Sequence, residues 1–329
     1  MQNDIVISTR IRLARNLKEF PFPCKLDAKG RKAVAEKVKS AVTNSNSALA
    51  QQMVCMDLDS LTKIQRANLV ESHLVSPEFV ADTNGRELLL TKDNSISVMV
   101  NEEDHIRIQV ILPGFDLDGA YNIADKTDTL FDENLNYAFD KRLGYLTQCP
   151  TNLGTGMRAS VMLHLPALQR TKAIGRIAGN LSKLGLTIRG IFGEGSEPKG
   201  AMYQLSNQVT LGISEKAAME NLKNITLQLI NQEKITRERL FNSIEVQDVV
   251  SRSLGVLKYA KAISCEEAMA LLSNVRMGVI AGEITDVQIE KINSLFTEIQ
   301  PAAIMVKAGE SLTPEKRDIF RAKLISSSL

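Results

Sequence analysis

Cysteine is scarce in this chain. Cys24, Cys55, Cys149 and Cys265 lie far apart and form no C-x-x-C pair. That spacing argues against a disulfide framework or a zinc site and fits a reducing, cytoplasmic setting. Tryptophan is absent, and the three histidines, His73, His105 and His164, form no H-E-x-x-H pair. No apolar run approaches the roughly 18 residues of a membrane span, and no signal-peptide core follows the first methionine. No charge sign dominates: 40 basic residues against 38 acidic ones leave a net charge of +2. Nothing global therefore argues for nucleic acid or a membrane surface as a partner. Neither a Walker A sequence nor a G-x-G-x-x-G after a strand is present, so the two commonest phosphate-binding folds are not indicated. Internal repeats and low-complexity segments are also missing.

What is present is a chain of 329 residues, 44% hydrophobic and 24% charged, enough for a substantial core and, by length, about two domains. Ile5, Ile7, Thr9, Ile11 and Leu13 alternate with Ser8, Arg10 and Arg12, which predicts a strand or extended segment with two arginines on one face. Helices are expected over 27–40, with Asp27 as N-cap, over 61–74, over 117–139 and over 169–184, where Gly185 suits the position after the last turn. Short alternating runs around Val54–Leu58, Ile96–Val100, Ile106–Val110 and Tyr203–Leu211 predict strands. The acidic corner Asn101-Glu102-Glu103-Asp104 joins two of them, with Glu103, His105 and Arg107 on one face if the second strand starts early. From Ser214 onward the period becomes helical, as in Ala218, Leu222, Ile225 and Leu229. The expected class is α+β, a mainly antiparallel sheet with helices, followed by a small all-helical domain that begins near residue 236.

The stretch from Leu146 to Pro166 concentrates chemistry. Cys149 precedes a proline, and Gly154 and Gly156 allow positive φ, so that backbone N–H groups could converge on an anion. Arg158 then enters an alternating strand. Elsewhere Arg10 with Arg12, Arg107 and Arg189 also stand on the polar side of alternating patterns or beside glycine. A guanidinium grips phosphate oxygens bidentately, so five converging arginines would cage a triphosphate. Any one of them alone reads as a solvated strand-face charge; the recurrence favours the cage. Glu103 and Glu194 are the carboxylates that could align a cationic nitrogen and take its proton. Cys149 reads either as an inert buried thiol or, beside arginines, as a thiolate.

Cys149-Pro-Thr-Asn-Leu-Gly-Thr-Gly-Met-Arg-Ala-Ser160 resembles the signature of the phosphagen (guanidino) kinases. Ser8-Thr-Arg-Ile-Arg12, Asn101-Glu-Glu-Asp-His-Ile-Arg107 and Arg189-Gly-Ile-Phe-Gly-Glu194 resemble further motifs of that family, in its order, over roughly residues 1–236. Small-molecule members carry a helical domain ahead of the first arginine motif, which here begins at Ser8. A helical region of nearly a hundred residues follows instead, ending in Arg317-Asp-Ile-Phe-Arg-Ala322. Both features resemble the bacterial protein-arginine kinase branch.

The resemblance implies a curved antiparallel sheet flanked by helices over 1–236 and a helical C-terminal domain over 237–329. It implies ATP and Mg²⁺ as cofactors, with ATP bound by Ser8, Thr9, Arg10, Ile11, Arg12, Arg107, Arg158, Ala159, Ser160, Val161, Met162, Arg189, Gly190, Ile191, Phe192, Gly193 and Glu194, and His73 near the nucleotide. It makes Glu103 the general base, Glu194 an orienting carboxylate and Cys149 its neighbour. Arg317, Asp318, Ile319, Phe320, Arg321 and Ala322 would form a regulatory phosphoarginine pocket. The implied role is arginine phosphorylation on proteins that marks them for degradation in a stress response. Implied partners are protein substrates with exposed arginines, an activating adaptor, a heat-shock repressor and a protease-chaperone, with a homodimer expected. The rival readings are a kinase for free arginine and a non-catalytic phosphoarginine-binding adaptor.

Overall fold

The computed structural model describes residues 4–190 and 198–329. The order begins with β1 (Val6–Arg15), α1 (Ala28–Thr43), β2 (Met53–Asp57), α2 (Lys63–Glu71), α3 (Pro77–Ala81), β3 (Glu87–Thr91), β4 (Ile96–Val100), β5 (Ile106–Pro113) and α4 (Leu117–Asp132). A two-stranded ribbon, β6 (Phe139–Asp140) and β7 (Gly144–Tyr145), leads to β8 (Met157–His164), α5 (Pro166–Arg170), α6 (Ile174–Lys183), β9 (Leu186–Gly190) and β10 (Met202–Asn207). Six helices follow: α7 (Glu215–Phe241), α8 (Ile244–Tyr259), α9 (Cys265–Ala281), α10 (Ile289–Glu298), α11 (Pro301–Ala308) and α12 (Pro314–Ser328).

Eight strands form one sheet in the order β2-β3-β4-β5-β1-β8-β10-β9. The β2–β3, β3–β4, β4–β5 and β5–β1 pairings are all antiparallel. Bonds from Ala14 N to Gly156 O and from His164 N to Ile5 O make β8 antiparallel to β1 as well. The α+β class and the antiparallel sheet flanked by helices are thus as the sequence implies.

Several element limits differ from the sequence pattern, each for a local reason. Helix α1 starts where expected, with Asp27 accepting from Gly30 N at 2.7 Å. Helix α2 is shorter than 61–74, because Thr62 and Gln65 close a capping box at one end and His73 adopts φ 59° beyond the other. Helix α4 stops at Asp132, short of Phe139: Asn134 turns its side chain back onto the carbonyl of Leu130 at 3.1 Å, the local bonding that makes asparagine a poor helix interior. The expected helix over 169–184 is two helices, since Pro166 opens α5 at its first turn and Lys172, at φ 55°, breaks the chain before α6. Strand β10 ends at Asn207, and Thr210 instead donates to the carbonyls of Thr151 and Leu153.

The chain divides into two compact units, Ser8–Val161 with Ser206–Asn224, and Met1–Ile7 with Met162–Leu205 and Ile225–Leu329. In the first unit the apolar face of β1 and β5 is fully buried at Ile11, Leu13, Ile106, Ile108 and Val110, and α4 packs on β5. Each such side chain contributes about 1.5–3 kcal/mol relative to exposure. Thr9 sits on this buried face because its hydroxyl is used there, donating to Gly114 O at 2.8 Å and accepting from Asp116 N at 3.1 Å. Arg15, 3% exposed, forks onto Asp128 with 2.7–3.1 Å contacts and stacks 3.5 Å from the Tyr145 ring.

In the second unit α8, α9, α10 and α12 share a core with Met202, centred on Val250, Leu257, Leu272, Val275, Ile292 and Ile325. Arg276, 1% exposed, donates to Asn293 at 2.8 Å and to Asp4 O at 2.7 Å, and faces His164 Nδ1 at 2.9 Å. Burial first, and Arg276 second, press the His164 imidazole well below its usual range, so it stays neutral and accepts from Arg276.

Glu233, fully buried on α7, accepts the backbone N–H groups of Ala167 and Leu168 at 2.9 Å each, closing the N-terminus of α5. Burial raises this carboxyl to about 6 from 4.5, so the folded state holds the proton more tightly than the unfolded one. Stability is therefore expected to fall as pH rises from about 4.5 to about 6, by about 2 kcal/mol at most, and to level off above that. Chemical denaturation of wild type and Glu233→Gln between pH 4 and 7 checks this: the step should vanish in the variant. A step that persists would assign it to another group.

Candidate active site

Three neighbouring strands of the first unit, β5, β1 and β8, place their polar faces together. Register sets Arg12 opposite Gln109 and Ala14 opposite Arg107. On the other side of β1, Arg10 Nε donates to Ser160 Oγ of β8 at 3.3 Å. Arg10 is lowered to about 10, by burial first and then by the charges of Arg107 and Arg158. Arg12 is pushed well below its ordinary value by burial and by Arg10, Arg107 and Arg158, with Glu102 opposing. A guanidinium does not give up its proton under ordinary conditions. These shifts measure instead the cost of holding four cations close together, partly out of water, a cost that an anion among them would relieve.

Beside this cluster stands the acidic corner between β4 and β5. Glu102 is buried and receives Arg107 Nη1 at 2.7–2.8 Å and the Ser76 hydroxyl. Glu103 is half-buried, and its Oε2 accepts from Arg107 Nη2 at 3.0 Å and from Asn152 Nδ2 at 3.3 Å. Asp104 is fully buried, with Oδ1 accepting from Asn16 at 2.6 Å and from Gln148 N at 2.8 Å; burial raises its carboxyl above the usual range. His105 does not share a face with Glu103 and Arg107. It lies before β5 begins, completely buried, with Nδ1 accepting from Leu17 N at 3.0 Å and Nε2 at 2.9 Å from Pro21 O. His73 does reach the cluster: burial and then Arg10 lower it to about 4, so it is neutral near pH 7. Its left-handed backbone presents a carbonyl to Gln109 at 2.9 Å.

Cys149 caps a short turn over 150–152, half-buried, with Sγ 3.0 Å from Thr151 Oγ. Contacts from Gln148 to Asp104 and from Asn152 to Glu103 clamp this turn to the acidic corner on both sides of the thiol. The glycines that follow are not an anion nest. Gly154 N and Thr155 N already donate, to Tyr145 O and Thr210 O. Gly154, at φ 108°, is needed because a Cβ would collide with the Thr210 carbonyl; at Gly156, φ 62°, it would lie 2.6 Å from Ala14 O. The Gly-rich turn serves close backbone packing, and side chains supply the positive charge.

The residues from 33 to 236 match the family model described as ATP:guanido phosphotransferase, C-terminal catalytic domain, and 243–329 match the model of the protein-arginine kinase McsB C-terminal domain. A protein-arginine kinase of Caldanaerobacter subterraneus subsp. tengcongensis is 45% identical over 99% of this chain and 97% of its own length. One from Halothermothrix orenii is 46% identical over 100% of this chain and 94% of its own. This chain belongs to the protein-arginine kinase family. Among solved structures, the duplicated taurocyamine kinase of Schistosoma mansoni with bound transition-state-analogue components aligns with a TM-score of 0.65 and 26% identity, over 76% of this chain. This chain spans 38% of that duplicated enzyme. A lombricine kinase, TM-score 0.62 and 24% identity, shares the fold. Membership makes this chain an ATP-using phosphotransferase.

Not every expected site residue falls in the cluster. Ile11, Ala159 and Val161 are fully buried, so their part in the site is to fix the strands that carry Arg10, Arg12, Arg158 and Ser160. Ser8 and Met162 lie on the strands β1 and β8, half-buried, and Thr9 is turned into the core. Arg189 is exposed on β9 of the second unit, which ends at Gly190. Ile191, Phe192, Gly193 and Glu194 lie outside the described residues.

The C-terminal motif of this family member opens α12, with Thr313 as N-cap. Its two arginines differ. Arg321 is 1% exposed, donating at 2.8 Å to the carbonyls of Ile299 and Ile263 and also to Asp318. Arg317 is only half-buried, and Ile319 is 44% exposed, whereas Ala322 is buried. The expectation of two arginines clasping a ligand side by side is therefore modified: Arg321 ties α12 to its neighbours, and Arg317 with Phe320 forms the more accessible side.

Sequence reasoning passed over Glu102, Asp104, Asn152 and Gln109. The acidic run reads in sequence only as a corner between two strands, with Glu103 its one candidate. A usable signal was there: a buried carboxylate needs partners, and Arg107 lies five residues after Glu102.

Proposed function

We propose that this chain is an ATP-dependent protein-arginine kinase that phosphorylates the guanidinium of arginine side chains in proteins. The observation that carries the reading is the four-guanidinium cluster of Arg10, Arg12, Arg107 and Arg158 abutting the Glu102–Glu103 pair through Arg107. The arginines suit the oxygens of a triphosphate, and a carboxylate one residue pair away suits a cationic acceptor. A guanidine nitrogen attacks the γ-phosphorus in line. The N–P bond forms, the bond to the bridging oxygen breaks with its electrons leaving on ADP, and the nitrogen's proton passes to Glu103. Glu194 helps to orient the guanidine, and Cys149 lies beside it. The family likeness assigns ATP binding to His73, Arg189, Gly190, Ile191, Phe192, Gly193 and Glu194 as well.

Among the described residues no group of three or more His, Cys, Asp or Glu is spaced to hold a metal. Mg²⁺ thus enters the proposal as a companion of the triphosphate, and no protein ligand is assigned to it. Residues 1–236 form the catalytic domain and 237–329 the helical one. The helical domain carries the phosphoarginine pocket around Arg317, Asp318, Ile319, Phe320, Arg321 and Ala322. We extend the family reading to a cytoplasmic, homodimeric enzyme of the stress response. It works with an activating adaptor, a heat-shock repressor and a protease-chaperone that reads the mark. No described helix is long and apolar enough to cross a membrane.

Incubating the chain with Mg·ATP and an arginine-rich protein, followed by mass spectrometry under non-acidic conditions, tests the activity. Phosphate on arginine is expected. Phosphate confined to Ser, Thr or Tyr defeats the reading, turnover of free arginine alone favours a small-molecule kinase, and ATP binding without turnover favours an adaptor. Adding free phosphoarginine to the same assay should change the rate in wild type and less so in Arg317→Ala. An equal response in both removes the pocket.

A further inference from the structure

The second unit carries a groove of about 630 Å³ bordered by α5, α6 and α7. Its α7 wall is one helical stripe, Gln232, Ile235, Thr236, Arg239 and Leu240, at the spacing of a single face. The α6 side offers Ala173, Arg176 and Ile177 in the same manner. Along the bottom run Leu168, Ile177 and Leu240, and Ile235 is left 41% exposed. Lys172, Arg176 and Arg239 stand exposed at the rim. No carboxylate lines the groove, and none of the three cations forms an ion pair among the described residues.

We infer that this groove is a docking site for an acidic amphipathic helix of a partner protein. Two stripes at helical spacing with a trough between them accept the ridge of a third helix. The apolar bottom calls for leucine- or isoleucine-like side chains on one face, and the three uncompensated cations call for Glu or Asp along its flanks. A nucleic-acid strand fits less well, because no aromatic side chain lines the groove to stack a base, and its apolar floor would be left against phosphates. A second copy of this chain fits less well too where α8 exposes Val256 and Tyr259, since these stand next to the basic Lys258.

The test uses the full chain and a fluorescent helical peptide of about 16 residues, with leucines on one face and glutamates on its flanks. A control peptide keeps the leucines and carries lysine for glutamate. The acidic peptide is expected to bind at least about tenfold tighter than the control, and more weakly as salt rises. Lys172→Glu with Arg176→Glu and Arg239→Glu should lose at least about tenfold in affinity for it, from three exposed ion pairs. Thermal melting and ATP-dependent phosphorylation of a short arginine-containing peptide without acidic residues should stay unchanged. Ile235→Asp, a single exposed change, should weaken the same peptide if the triple variant fails to fold. Equal binding of both peptides, no binding of either, or unchanged binding by both variants overturns the inference. So does tighter binding of a single-stranded oligonucleotide than of the acidic peptide, or a concentration-dependent dimer that the triple variant abolishes.

Discussion

Glu103→Ala is expected to lower turnover by at least two orders of magnitude while leaving ATP affinity within a few-fold of wild type. General bases are typically worth about 10²–10⁴ in rate. Its surroundings suit the proposed role: Glu103 is half-buried, and Arg107 and Asn152 both hold its Oε2. Its Oε1 accepts no hydrogen bond among the described residues and is the atom available to a substrate proton. Glu103→Gln keeps the shape and an acceptor for Arg107 but cannot take a proton, so it should be nearly as slow as the alanine variant. Phosphoarginine formed per enzyme per unit time, measured at saturating ATP, checks both. Near-normal turnover of either variant would remove Glu103 from the proton transfer and turn attention to Glu102. That side chain is already occupied by Arg107 and Ser76.

Arg12→Met should do two opposite things. Turnover should fall by about 10³-fold or more, the scale seen when a guanidinium is withdrawn from a transferring phosphoryl group. The protein without nucleotide should melt higher, by about 1–2 °C for each kcal/mol gained in a chain of 329 residues. The second effect follows from the charges: Arg12 is held down by burial and by three neighbouring guanidinium groups, with Glu102 opposing. Removing it relieves repulsion in the empty site. Added ATP should then stabilise the variant far less than wild type, because the anion has one fewer cation to relieve. Arg12→Lys keeps the charge but not the fork, and should recover binding better than rate. A variant that melts lower and turns over normally would return Arg12 to the status of a solvated strand-face charge.

Much of the site was legible because strands alternate. Once β1, β5 and β8 were read with period two, the faces bearing Arg10 and Arg12, Arg107, and Arg158 and Ser160 followed. That these faces adjoin was not legible. It depends on the order β5-β1-β8, which brings together segments about 50 to 150 residues apart in the chain. The acidic corner was misjudged for a related reason. Three acids in a row look solvated, and the partners that bury Glu102 and Asp104 come from α3's cap, from Asn16 and from Gln148. The Gly-rich turn was misjudged in the other direction. Glycine in sequence reports only that a side chain is not tolerated; whether an anion or another backbone takes the space is a tertiary matter, and here the Thr210 and Ala14 carbonyls take it.

The sequence by itself determined the class of fold, the family and the residue types of the site, because periodicity and motif order are properties of the chain alone. Only the tertiary structure decided which of the motif side chains are available. Arg317 and Arg321 are indistinguishable as letters four apart on a helix. Yet Arg321 is spent on three oxygens from Ile299, Ile263 and Asp318, while Arg317 stays accessible. Such a difference depends on burial, and burial is set by what the rest of the chain packs against each side chain.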